Sequence, residues 1–196
     1  LRRAPILCNT PSPHANTRRT ERYTMTATTA TTAPTPLVDP GTHQSTHTLV
    51  NAVQHNPQSD AIGRFLDSVR WRVLGDYITR STLTRGHLLI AQGDHDGRLY
   101  FLESGDLKVD MRSPAGQVHL AILGPGSVVG EGGFFTQQAR NASVSVFTDC
   151  ALWTMTPASF QLLVQQNPAV AVSLCVALGS VLATRTLDLS KRVAIT

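Results

Sequence analysis

The spacing of apolar residues changes twice along this chain. Up to about residue 57 it has no period, and MTATTATTAPTPLVDPGTHQSTHT is a Thr/Ala/Pro-rich run with too little apolar surface to offset chain entropy. From Ser59, the segment SDAIGRFLDSVRWRVLGDYI places apolar residues at 62, 65, 66, 69, 73, 74 and 78, which is helical spacing, with Ser59 or Asp60 as its cap. Period two then takes over. HLLIAQ, LYFLES, LKVDMR, QVHLAIL, SVSVFT and ALWTMT are short strands, separated by turn residues such as Gly86, Gly93, Gly105, Gly116 and Gly126. LKVDMR and QVHLAI alternate around SPAG and form a hairpin. Strands this short and regularly spaced predict a small barrel or jelly roll.

The chain ends in helix. Thr156 followed by Pro157 is a cap and first turn, and Asn167 with Pro168 breaks that helix. A second helix is expected from 168 to about 189, with Val170, Leu174, Leu178, Val181 and Leu182 on one apolar stripe. Residues 150–184 carry no charge, so a membrane span has to be weighed. The unbroken apolar part, 169–183, is shorter than the roughly 20 residues a bilayer requires. A helix packed on the barrel or on a second subunit is expected, not a membrane span.

Charge changes the picture once it is located. The 196 residues carry a net charge of +4, and residues 1–24 alone supply it, with five arginines against Glu21. The rest is balanced, twelve bases to twelve acids, so the part that folds has no excess charge for a phosphate backbone. The expected domains are a disordered tail over 1–57 and one folded domain over 58–196. Residues 1–24 have some transit-peptide character, although Met25 as the true start is the simpler reading. Cys8, Cys150 and Cys175 lack any CxxC spacing, which points to reduced cytoplasmic thiols and no metal site. No catalytic triad can be assembled from motif, so no enzyme is expected.

Candidate chemistry is concentrated in GEGGFFTQQARNASV, residues 130–144. One of only three glutamates stands between glycines there, nine positions before an arginine. A helical turn starting at Gly130 would present free N–H groups, which favour an anion, and glycine lets backbone approach a ligand. Arg140 can grip two phosphate oxygens with its planar fork, and Glu131 suits a ribose hydroxyl. The competing reading is a surface Glu131–Arg140 ion pair worth about 0–1 kcal/mol.

LTRGHLLIAQGD, HDGRLYFLESGDLKV, LGPGSVVGEGGFF and ARNASV together resemble the cyclic nucleotide-binding domain family of catabolite activator-type regulators and kinase regulatory subunits. The resemblance implies a mainly β fold with flanking helices (α+β), an eight-stranded jelly-roll barrel between N-terminal helices and a C-terminal lid and dimer helix. It implies Arg140 on the cyclic phosphate, Glu131 on the ribose 2′-hydroxyl, and backbone N–H groups of Gly130, Ala142 and Ser143 around the phosphate. Arg185 and Thr186 stand where the lid helix meets the base. Gly132 replaces a bulky residue, which should weaken the short helix, and Asn141 stands where the family often has Ala, Ser or Thr, which leaves cyclic AMP against cyclic GMP open. Cyclic AMP is favoured by its frequency in the family. The expected function is a cyclic nucleotide sensor, homodimeric through the last helix, with an unknown effector protein and no helix-turn-helix for DNA. The alternatives are a degenerate interaction module and a truncated transcription regulator.

Overall fold

The period-two segments pair into two antiparallel sheets of four strands. The computed structural model describes residues 45–193 apart from Ser59 and Ala115, and the expected tail up to residue 44 lies outside the described residues. The strands are β1 (Thr79–Leu83), β2 (Leu88–Ile90), β3 (Leu99–Ser104), β4 (Leu107–Ser113), β5 (Gly116–Leu123), β6 (Val128–Val129), β7 (Ser143–Val146) and β8 (Cys150–Met155). One sheet runs β1-β8-β3-β6 and the other β2-β7-β4-β5, which is the expected jelly roll. β4 and β5 form the hairpin around SPAG, running from Leu107 opposite Leu123 to Ser113 opposite Gly116 with a one-residue shift of register between Val109 and Asp110.

Two of these strands carry no period-two signal. β1, TRSTL, is a polar edge strand pairing only with β8, and β6 is two residues long. An edge strand need not bury one face, so alternation does not mark it. β3 shows the opposite case, with every residue from Leu99 to Glu103 buried. Leu99 and Phe101 join the helices in one core cluster, while Tyr100 and Leu102 fill the space between the sheets. A strand covered on both faces reads as a continuous apolar run, which LYFL is.

Helices cover the first face. α1 (His47–Gln54) buries Leu49 and Val53 in that cluster. Two side chains from the stretch expected to be tail are thus part of the core. The helix expected from Ser59 is also interrupted. A 3-10 turn over Ile62–Arg64 is followed by a separate α2 (Ser68–Gly75), whose cap is Asp67, its carboxylate accepting from the Arg70 N–H at 2.8 Å. An Asp side chain that satisfies the first-turn N–H groups starts a helix where it stands, and here it stands eight residues after the expected start.

α3 (Glu131–Thr136) follows β6, and α4 (Pro157–Gln166) is capped by Thr156 as expected, its hydroxyl accepting from the Ser159 N–H at 3.0 Å. α5 (Pro168–Val193) closes the described chain. Its stripe of Val170, Leu174, Leu178 and Val181 is in the core with Ile62 and Phe101. By length and composition the stretch Pro168–Asp188 suffices to cross a bilayer, longer than the 169–183 expected. One third of its most apolar 18 residues is buried in the domain.

Candidate functional site

The site is built where β6 runs out. Gly130 has φ +95°, and a Cβ there would lie 2.4 Å from the Arg98 carbonyl and 2.9 Å from Arg140 Nη1. Only glycine fits both the left-handed backbone and the space. The turn begins α3, and Phe134 pins that helix edge-to-face on Phe160 of α4, ring centroids 4.8 Å apart. Glu131 thus occupies the first helical turn and is 7% exposed.

Arg140 comes in from the strand side, just ahead of β7. Its backbone is tied to the preceding turn, donating to the Asp94 carbonyl at 2.8 Å and accepting from the Gly93 N–H at 2.9 Å. The side chain is not turned towards Glu131. Nε donates to Asp96 Oδ1 at 2.9 Å, Nη2 to Asp96 Oδ1 and to the Arg98 carbonyl, and Nη1 to the Gly130 carbonyl at 2.7 Å. Four of the five guanidinium N–H groups are therefore engaged within the protein. Asp96 Oδ2 also accepts from the Tyr100 hydroxyl at 3.3 Å, and burial, with Asp96 adding to it, pushes that phenol above its ordinary value.

Glu131 meets the other arginine. Arg185 of α5 donates through Nη1 to Glu131 Oε1, through Nε to Asp60 Oδ2 at 2.6 Å and through Nη2 to the Val128 carbonyl at 3.1 Å. Among the described residues only one oxygen of Glu131 is engaged, so Oε2 can still accept from a ligand hydroxyl. Neither carboxylate–arginine pair is the surface Glu131–Arg140 pair weighed from sequence. Each charge is partly or fully buried and has found a different partner.

These groups share a cavity of about 590 Å³. Gly130, Glu131, Gly132, Gly133, Arg140, Asn141 and Ala142 line one end, Gln58 and Asp60 line it from the segment after α1, Arg185 and Asp188 from α5, and Ile122 and Leu123 of β5 supply an apolar wall. An anion with a polar ring and an apolar plane fits that lining: N–H groups and arginine at the glycine end, acceptors beside them, and a greasy side for a flat base.

Of the residues singled out from sequence, Gly130, Glu131, Gly132, Arg140, Asn141, Ala142 and Arg185 are brought together around this cavity. Ser143 and Thr186 are not among its lining. Ser143 opens β7 with its hydroxyl accepting from the Gln92 N–H at 3.0 Å, and Thr186 is exposed with its hydroxyl donating to the Leu182 carbonyl at 2.8 Å. Sequence reasoning missed Asp96, the counter-charge of Arg140, although HDG ahead of LYFLES places an acid in a tight polar turn. It also missed Asp60, read there as a helix cap.

Comparison with known proteins points the same way. Residues 80–167 match the family model described as cyclic nucleotide-binding domain. A CRP-like cAMP-activated global transcriptional regulator of Mycobacterium tuberculosis is 30% identical over 91 residues, covering 46% of this chain and 41% of that protein. The chain thus spans less than half the length of this curated relative. Among solved structures, a cyclic nucleotide-binding domain from Methylobacillus flagellatus is similar with a TM-score of 0.68 at 18% identity, over 79% of this chain and 85% of that one. The N-terminal domain of a transcriptional regulator from Streptomyces coelicolor has a TM-score of 0.55 at 27% identity, over 71% of this chain and 95% of that one.

Proposed function

With residues 80–167 belonging to the cyclic nucleotide-binding domain family, we propose that the chain is a cyclic nucleotide sensor that takes its ligand in the cavity between α3, β5 and α5. The observation that carries this reading is the pairing of a buried acid and a buried base on one cavity, Glu131 and Arg140, each positioned by a partner other than the other. In the proposed complex the cyclic phosphate lies against the first-turn N–H groups of α3 and the remaining N–H of Arg140. The ribose 2′-hydroxyl donates to Glu131 Oε2, and the base lies along Ile122 and Leu123 under α5. Binding biases α5 towards a closed arrangement, to the extent that the ligand prefers that form.

Cyclic AMP is the proposed nucleotide ahead of cyclic GMP, supported by the mycobacterial relative, a cAMP-activated regulator. We further propose a homodimer through α5, supported by a second apolar stripe that the domain leaves outside, Val172, Val176 and Leu187. One observation favours a second reading, an interaction module without useful affinity. Arg140 is already neutralised by Asp96 and hydrogen-bonded by two carbonyls, so a phosphate gains less there than at an unpaired guanidinium.

Calorimetric titration of the full chain with cyclic AMP and cyclic GMP, with Glu131→Gln alongside, separates the two. Micromolar binding that weakens at least tenfold in the variant supports the sensor. A folded protein that gives no heat with either nucleotide supports the interaction module.

A further inference from the structure

We propose that Asp60, in the segment between α1 and the 3-10 turn, is a positioning residue of the nucleotide site: it holds Arg185, and through Arg185 it sets the place of the Glu131 carboxylate. This rests on the sensor reading above.

The geometry is a chain of charges that runs across four parts of the fold. Asp60 Oδ2 takes the Nε–H of Arg185 at 2.6 Å, Val128 of β6 takes Nη2 at 3.1 Å, and Glu131 Oε1 takes Nη1. A guanidinium is planar, so anchoring all three nitrogens fixes both its position and its plane. With the Nε anchor removed, the head of a long side chain pivots about the other two, and the rotamer freedom of an arginine is large. Glu131 would then lose a fixed partner at the oxygen it does not offer to the ribose.

Asp60 is itself held. Two residues later Ile62 is buried in the same cluster as Leu178 and Val181 of α5, so the segment carrying Asp60 is packed onto the helix carrying Arg185. The side chains of Asp60, Arg185 and Glu131 are 16%, 26% and 9% exposed, a setting in which charge-assisted bonds are less screened than at an open surface. Asp60 also lines the cavity itself, alongside Asp188 one turn further along α5. The segment ahead of the barrel is in this way part of the ligand site.

The test compares cyclic AMP with 2′-deoxy cyclic AMP, which lacks the hydroxyl assigned to Glu131. Wild-type full chain is expected to prefer cyclic AMP about tenfold, the worth of one hydrogen bond to a charged group. Asp60→Ala is expected to bring that preference down to about twofold with little change in affinity for the deoxy analogue, and Asp60→Glu to restore part of it. A residue that merely stabilises the fold would lower both affinities by one factor. That result, or an unchanged preference, overturns the proposal.

If wild type binds neither nucleotide, the sensor reading falls, and the role of Asp60 towards the ribose falls with it. Amide exchange of the ligand-free protein decides the remaining part. Faster exchange over 131–136 and 179–188 in Asp60→Ala supports the hold on Arg185, and unchanged exchange there removes it.

Discussion

Arg140 faces Asp96, not Glu131: its Nε lies 2.9 Å from the Asp96 carboxylate, and the two residues are 44 positions apart in the chain. The arginine is consequently part of the buried structure as well as of the site. Arg140→Ala strips donors from the Gly130 and Arg98 carbonyls and removes the buried counter-charge of Asp96, which keeps only the Tyr100 hydroxyl and the more distant Arg98, so it is expected to cost about 2–4 kcal/mol of stability. Asp96→Asn is expected to cost less, since that side chain is one-third exposed. Urea denaturation of both singles and the double gives their coupling, expected at about 1–3 kcal/mol. Additive losses would show that the two side chains do not interact.

The glycines of the cassette are not equivalent. A Cβ at Gly132 meets nothing within 4 Å, whereas one at Gly130 collides with the Arg98 carbonyl at 2.4 Å. Gly132→Ala is therefore expected to stabilise α3 by up to about 1 kcal/mol, and Gly130→Ala to destabilise by more than that. Thermal melts of the two variants check the difference in sign; a loss at both positions refutes the distinction.

Leu49 and Val53 are fully buried although they lie in the compositionally tail-like part of the chain. Leu49→Ala is expected to cost about 2–5 kcal/mol. A chain beginning at residue 58, which lacks both side chains, is expected to melt well below the full chain. Equal melting temperatures would mean that α1 contributes nothing to the core.

The two stripes of α5 separate folding from association. Leu178 is in the core at 0% exposure, so Leu178→Asp is expected to unfold the domain rather than split a dimer. Val176 is 55% exposed, and Val176→Asp is expected to leave circular dichroism unchanged while reducing the mass in solution to one chain. A Val176→Asp protein with wild-type mass argues against that face as the dimer contact.

Glu103 sets an acid limit. Burial pushes its carboxyl up, but hydrogen bonds from Arg80, Trp153 and Thr48, with the Arg80 charge, outweigh burial and hold it below its ordinary value of 4.5. A carboxyl depressed in the folded state adds stability above its unfolded value and loses it as pH falls through the folded one. As pH falls below about 4.5, stability should thus decline more steeply in wild type than in Glu103→Gln. Identical slopes would take Glu103 out of the acid transition.

The amino-acid sequence determined the class of fold and the location of the cassette, because both rest on short-range rules. Period-two segments bounded by turns make strands whatever lies across from them, as SVSV and the SPAG hairpin do. The Thr156 cap ahead of Pro157, accepting from the Ser159 N–H, is likewise complete within four residues. Glu131 between glycines with Arg140 nearby also carries its chemistry locally.

The partners of those charges were decided only in three dimensions. Asp96 reaches Arg140 across 44 positions and Asp60 reaches Arg185 across 125, distances over which no spacing rule acts. The two exceptions among the strands have the same cause. β1 and β6 are defined by the strands they pair with, β8 and β3, and not by any pattern of their own. Charge pairing and edge pairing are properties of neighbours in space, and a one-dimensional pattern holds no record of which neighbours those will be.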